Sequence, residues 1–410
     1  MGSAIPEFTC LQENCQESVT VTSQPTNPGP LAGTTVIDVS ALGPGPFCSM
    51  ILADFGAEVI SISRPGPRES FDPSQYFSRG KQSIVVDLRN SDGGKLIRDM
   101  VAEADVFLEG FRPGAMERRG LGPDDLMAIN PRLIYTRLTG YGQSGPLSQT
   151  AGHDINYLAT AGVLGVLGDV ESGPTVPLNL LGDFASGSMS AVVGISLALI
   201  ERHMTGRGQL VDAAMVDGAV ALLSAQLAEY SAGTWYGPGT SVLSGRAPYY
   251  RAYHCSDGGW FAVGAIEDRF YVQMVSALGL DIGDLPDRSD PANWDQLCDV
   301  FAARFATRTR SAWVEAFSVV DGCGGAVLRL DELADNPHLK SRNTVYRNGG
   351  LIEAAPAPRL SGFRPALRQR VATVGQDTWN VLRRFGLDDA TITDLERRGV
   401  VEHRGGHVST

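Results

Sequence analysis

From Leu31 onward, short β-branched runs alternate with longer apolar stretches. Residues 34–40 (TTVIDVS), 57–63 (AEVISIS), 83–88 (SIVVDL), 105–109 (DVFLE) and 133–138 (LIYTRL) predict five buried strands. Between them, 47–55 predicts an apolar helix that stops at Gly56, and 91–103 predicts a second helix. Strands alternating with helices predict an α/β layer around a mostly parallel sheet. From 153 to 230 the pattern turns helical. A Gly- and Tyr-rich stretch follows from 236 and becomes strand-like at 247–255 and 260–265, as a linker leading into a smaller α+β domain would. Beyond Pro356 a proline-bracketed stretch precedes a late helix at 376–385. Residues 1–30 are polar, carry Glu7, Glu13 and Glu17 without a base, and end in PTNPGP, the pattern of a disordered leader. Within it, GSAIPEF at 2–8 has the look of a vector scar.

Composition narrows the function. In 410 residues, 43% are hydrophobic and 20% charged, which excludes wholesale disorder and suggests two or three domains. The net charge of −12 argues against duplex nucleic acid as a partner. The most apolar run, 189–200, ends at Glu201-Arg202 and falls short of the roughly 20 residues of a membrane span, so none is expected. No basic segment followed by an apolar one opens the chain. The six cysteines, at 10, 15, 48, 255, 298 and 323, form no CxxC, so neither a disulfide framework nor a metal site is expected. A cytoplasmic location follows as the default.

The candidate chemistry clusters at the predicted strand ends. Gly43-Pro-Gly45 between strand and helix only loosely resembles a dinucleotide fingerprint: Cys48 holds the third glycine's place, and Ser63-Arg64 stand where a ribose-binding acid belongs. A tight turn opening a packed helix explains the glycines as well. Arg64, Arg89, Arg112 and Arg118 follow strands, where open α/β sheets bind ligands, so a phosphate-rich ligand fits. The stretch 64–119 holds ten bases and nine acids, however, and is no basic patch by count. His153 follows the loop Gly140-Tyr-Gly-Gln-Ser-Gly145 and opens a helix, whose dipole disfavours imidazolium and would poise it as a neutral base. Free N–H groups at that helix start could hold an oxyanion. Asp183 sits before an apolar helix as an N-cap would, and would serve as a base only if burial raised its pKa. Taken singly, His153 and Asp183 are equally explained as capping residues, Glu267 as a loop acid and Cys323 as a turn residue.

Taken together, the pieces carry more. Gly43-Pro-Gly-Pro46 with LADFGAEVI, Arg64-Pro65, Glu109-Gly-Phe-Arg-Pro-Gly114, Leu138-Thr-Gly-Tyr-Gly-Gln-Ser-Gly-Pro146, Gly152-His-Asp-Ile-Asn-Tyr157, Gly182-Asp-Phe184 and Gly206-Arg-Gly-Gln-Leu-Val-Asp212 resemble the α-methylacyl-CoA racemases, a branch of the family III CoA-transferase superfamily. The match runs in order from about Leu31 to Val401. The resemblance implies a large Rossmann-like domain built from both ends of the chain (31–213 and 357–410). It further implies linkers at 214–243 and 327–356, a small α+β domain at 244–326, and an interlocked homodimer. Its two bases fall on His153 and Asp183. Asn179 matches a hydrogen-bond partner of that Asp, and Glu267 an acid reaching the His from the partner's small domain. CoA contacts fall on Arg64, on Val86, Asp87, Leu88 and Arg89, on Gly110, Phe111 and Arg112, on Arg118, and on Gly152, His153, Asp154, Ile155, Asn156 and Tyr157. Cys323 matches a cysteine near the site. Ala185-Ser186 replace glycines of close racemases, which leaves the acyl range open. No metal or redox cofactor is implied, CoA being part of the substrate. The alternative within the superfamily is a CoA-transferase with Asp154 as nucleophile. His153, a base that such a nucleophile does not need, favours proton transfer. A catalytically dead acyl-CoA-binding protein is the third reading, against which both candidate bases are present.

Overall fold

In the computed structural model, residues 28–40, 43–66, 76–348, 351–365, 371 and 373–404 are described. The leader expected at 1–30 lies, up to residue 27, outside the described residues. All five expected strands form: β1 (Thr35–Asp38), β2 (Glu58–Ser63), β3 (Lys81–Val86), β4 (Val106–Glu109) and β5 (Ile134–Thr139). They join Leu210–Ala214 and Val401–Glu402 in one seven-stranded sheet. Its order is Val401–Glu402, β3, β2, β1, β4, β5, Leu210–Ala214. All neighbours are parallel except Val401–Glu402, which runs antiparallel to β3. The order reverses between β1 and β4, which opens a crevice beyond their carboxyl ends.

Alternation along the strands makes two cores. Ile37, Ile60, Ile84, Phe107 and Tyr135 face α2 (Ser91–Val101) and the late helices Thr378–Arg384 and Asp389–Arg397 through Leu96, Ile97, Met100, Val381 and Ile392. Val36, Val59, Val106 and Ile134 face the other way, onto Cys48 and Leu52 of α1 (Pro44–Asp54) and Ala191 and Ile195 of α5 (Met189–Thr205). Both ends of the chain thus build one layered unit. The middle of the chain builds its own antiparallel sheet of Tyr250–His254, Trp260–Gly264 and Gly324–Ala326. It packs on Phe301, Phe305, Trp313 and Phe317.

Four expectations change. α1 begins at Pro44 rather than 47, because Gly43 caps it at φ +61° and proline is tolerated in a first turn. The stretch 153–230 is not helical throughout. The strand Leu210–Ala214 completes the sheet edge, and Gly168–Asp169 pairs with Gly173–Pro174. Leu210–Ala214 (LVDAA) is short, with a charge at its centre and two alanines at its end, and its pairing with β5 gives it strand character. The late region holds a second helix and the Val401–Glu402 strand beyond the one foreseen. Finally, the helical run Leu180–Thr205 is 26 residues long, with a window of mean hydropathy 1.5, so by length and composition it could cross a membrane. The apolar run 189–200 is lengthened at its start by nine residues of a π-helical segment, Leu180–Ser188. One face of α5 is buried against the sheet through Ala191, Ile195 and Ala198. The other leaves Met189, Val193, Leu197, Ile200 and Met204 exposed at 44–74%.

Candidate active site

The crevice holds a cavity of about 530 Å³ at the carboxyl ends of β1, β4 and β5. Its walls are Ser40 beyond β1, Gly110–Pro113 beyond β4, Thr139–Tyr141 at the end of β5, and Gly152, His153, Asn156 and Tyr157 at the start of α4 (Asp154–Thr160). The glycines here are steric requirements. A Cβ on Gly140 would stand 2.0 Å from the Tyr157 ring, and one on Gly152 2.7 Å from it. Tyr157 is locked between them by a hydrogen bond from its hydroxyl to the Gly152 carbonyl and by a T-shaped contact with Tyr141 at 4.9 Å.

His153 is the N-cap of α4 and is exposed to the cavity. Its backbone N–H donates to the Asn156 carboxamide oxygen at 3.0 Å. Asp183 was expected to be an N-cap and is not. It lies inside the π-helical segment, and Asn179 occupies the cap. The wider π turn absorbs the small residues around it, and such turns often mark functional sites. Asn179 donates its side-chain N–H to Asp183 Oδ2 at 3.3 Å, and the Asp183 backbone N–H donates to Asp154 Oδ1 at 2.6 Å. Burial raises the Asp183 carboxyl pKa, the Asn179 hydrogen bond opposes the rise, the Asp154 charge adds to it, and His153 opposes it. A Cβ on Gly182 would stand 2.2 Å from Asp154 Oδ1, and one on Gly43 3.2 Å from Asp183 Oδ2. Glycine at both positions lets the two carboxylates approach the backbone this closely. Gly43, at φ +61°, thus stands against Asp183 at the N-terminal end of α1. Burial raises Asp154 as well, against the amides of Asp183 and Gly182, and its enclosed Oδ2 has no hydrogen-bond partner among the described residues.

Residues 31–378 match the profile of CoA-transferase family III. The chain belongs to that family. Among its relatives, α-methylacyl-CoA racemase of Mus musculus is 42% identical over 91% of this chain and 97% of its own. The Homo sapiens racemase is 41% identical over the same shares. Succinyl-CoA:glutarate CoA-transferase of Homo sapiens is 30% identical over 92% of this chain and 91% of its own. A CAIB/BAIF family protein from Brucella suis superposes with a TM-score of 0.76 at 26% identity, covering 87% of this chain and 99% of that one.

Of the residues that the family III resemblance pointed to, Gly110, Phe111, Arg112, Gly152, His153, Asn156 and Tyr157 line the cavity together. Arg64, Val86, Asp87, Leu88, Arg89, Arg118, Asp154, Ile155, Asn179, Asp183 and Glu267 do not line it. Val86 is buried in the sheet core, paired with Val401, and Arg89 turns its guanidinium to Asp87 at 3.2 Å and to solvent. Glu267 is exposed as the N-cap of the helix Asp268–Ala277. Its charge acts on the Cys323 thiol, which burial, then Asp321 and Glu267, push up. Among the described residues Glu267 makes no hydrogen bond or ion pair with His153.

Two buried networks went unforeseen. Asp38 is fully buried and accepts from the hydroxyls of Ser40 and, at 2.5 Å, Ser49. Lys81 donates to Ser49 at 2.6 Å and to the Pro46 carbonyl at 2.9 Å, and stands 3.5 Å from Asp38. Burial lowers the Lys81 pKa, and Asp38 opposes this. The group seats the first turn of α1, and Ser40 lines the cavity. Glu109 and Arg137 form the second network. Their signal was available: a charge at the end of one apolar run (DVFLE) and inside another (LIYTRL).

Proposed function

We propose that the chain interconverts (R)- and (S)-2-methylacyl-CoA thioesters by 1,1-proton transfer, as its racemase relatives do by name. One observation carries the reading: His153 in the cavity wall and Asp183 behind Gly43 at its edge are two unlike bases within electrostatic reach of each other. One base takes the α-proton. The C–H electron pair becomes the enolate double bond, and charge passes to the thioester oxygen. The other base delivers a proton to the opposite face, and the carbonyl re-forms. A half-buried carboxyl with a raised pKa suits the step in which Asp183 must donate. In this reading His153 takes the proton of the S substrate and Asp183 that of the R. The enolate oxygen meets the N–H groups of Asp154 and Ile155, which open α4 ahead of the Asn156 and Tyr157 N–H groups that donate to the His153 carbonyl. Neither metal nor redox cofactor enters the balance.

The transferase reading needs Asp154 to attack a thioester. Its Oδ1 is occupied by the Asp183 amide, and its Oδ2 is enclosed. A homodimer in which the partner's Glu267 reaches His153 is part of the proposal. Support comes from the exposed apolar face of α5 and from Glu267 standing free of His153 within the chain. The test is NMR of both 2-methylacyl-CoA enantiomers in D₂O, with and without an acceptor carboxylate. Deuterium should enter at the α-carbon of both enantiomers without acceptor. His153→Ala and Asp183→Ala should abolish interconversion, each slowing exchange more from one enantiomer than from the other. CoA passing to the acceptor without α-exchange, with a hydroxylamine-sensitive anhydride on Asp154, would refute the racemase reading.

A further inference from the structure

We propose that Arg137, seated on Glu109, is a positioning residue that sets the spacing of the two loops holding the CoA moiety. The inference rests on reading the cavity as the CoA site. β4 and β5 run in parallel register with Glu109 directly opposite Arg137. The two side chains are 3% and 8% exposed, with Arg137 Nε 3.4 Å from Glu109 Oε1. Just beyond this pair the chain leaves the sheet in two loops, 110–113 and 140–145, and both form cavity wall.

The pair reaches into each loop. Glu109 Oε2 accepts the Phe111 N–H at 2.6 Å, between two residues that line the cavity. Arg137 Nη1 donates to the Gln143 side-chain oxygen at 2.7 Å, two residues beyond Tyr141. Arg137 Nη2 pairs with Glu117, whose turn, Glu117–Arg119, carries Arg118. The backbone N–H of Gln143 donates in turn to Asp212 Oδ2 at 3.3 Å. One planar guanidinium therefore addresses three segments through separate nitrogens, a geometry a lysine ammonium does not reproduce. A buried ion pair is a poor source of stability, because desolvation cancels much of the attraction. A requirement on loop geometry explains why a charged pair stands at this depth. None of these atoms belongs to the proton-transfer pair, so the effect should fall on binding.

The test uses the full chain with Gln143→Ala and Arg137→Lys, and Arg112→Ala as a control on the cavity wall. Titration calorimetry with free CoA is combined with KM and kcat for 2-methylacyl-CoA exchange. Gln143→Ala keeps the buried pair intact and removes only the link to the loop, so folding is preserved should Arg137→Lys fail. Both variants should weaken CoA binding and raise KM about tenfold, the scale of one charge-assisted hydrogen bond, with kcat within about twofold of the parent. If Arg112→Ala weakens CoA binding while Gln143→Ala binds normally, the positioning role is overturned and the cavity reading stands. If Arg112→Ala binds CoA normally, the cavity reading falls and the positioning role with it. A lowered melting temperature with unchanged CoA affinity also overturns the proposal, since that is the mark of a purely structural pair.

Discussion

Glu109 offers a quantitative check on the same pair. Its carboxyl is 2% exposed. Burial pushes its pKa up to about 7, against the Phe111 N–H and the Arg137 guanidinium, which pull it down. Unfolded, the group titrates near 4.5. The folded chain therefore holds this proton more tightly than the unfolded chain does. At about 1.4 kcal/mol per pH unit, the protonated group contributes roughly 3 kcal/mol of stability below pH 4.5. That contribution is lost as pH rises through 7. By linkage about 1.4 kcal/mol of it remains at pH 6 and about 0.1 at pH 8. Glu109→Gln keeps the shape and an acceptor for Phe111, and does not titrate. The assay is urea unfolding of parent and variant at pH 6, 7 and 8, followed by far-UV circular dichroism. Other groups titrate alike in both chains and cancel in the difference. The parent should lose about 1.3 kcal/mol relative to the variant between pH 6 and 8, or about 0.4 M in midpoint for a slope near 3 kcal/mol/M. Parallel pH dependences, within about 0.3 kcal/mol, would refute the reasoning, as would a difference of the opposite sign.

Gly182→Ala should cut interconversion at least about a hundredfold with CoA binding retained, because its Cβ would stand 2.2 Å from Asp154 Oδ1 and displace the Asp183 amide; calorimetry beside deuterium wash-in reads both. Arg79→Met should destabilise the chain by about 3–5 kcal/mol in chemical denaturation, since it removes from buried Asp54 the two guanidinium hydrogen bonds at 2.7 and 2.9 Å. Leu197→Glu, in the middle of the exposed face of α5, should leave the chain monomeric by light scattering and inactive in exchange, whereas an unchanged dimer would remove that face from the interface.

The local order of the chain was legible in its sequence. β-branched runs such as TTVIDVS and SIVVDL are short, apolar and bounded, so strand formation and burial coincide and the run announces itself. The glycines at 43, 140, 152 and 182 were likewise readable as motif, because a Cβ at 140, 152 or 182 would overlap a side chain and Gly43 takes a positive φ. The family III resemblance also brought His153 and Asp183 together as candidate bases before any coordinates. The sequence could not settle what depends on residues far apart in the chain. Leu210–Ala214 is a strand because β5 pairs with it, and Val401–Glu402 because β3 does. Asp183 lies in a π turn rather than at a cap because Asp154, 29 residues earlier, accepts its amide. Asp38 with Lys81, and Glu109 with Arg137, are charges that a local reading assigns to solvent. They are buried because the sheet sets Glu109 opposite Arg137 and Ser49 of α1 links Asp38 to Lys81, and the energy of a charge depends on what surrounds it, which periodicity along the chain does not encode.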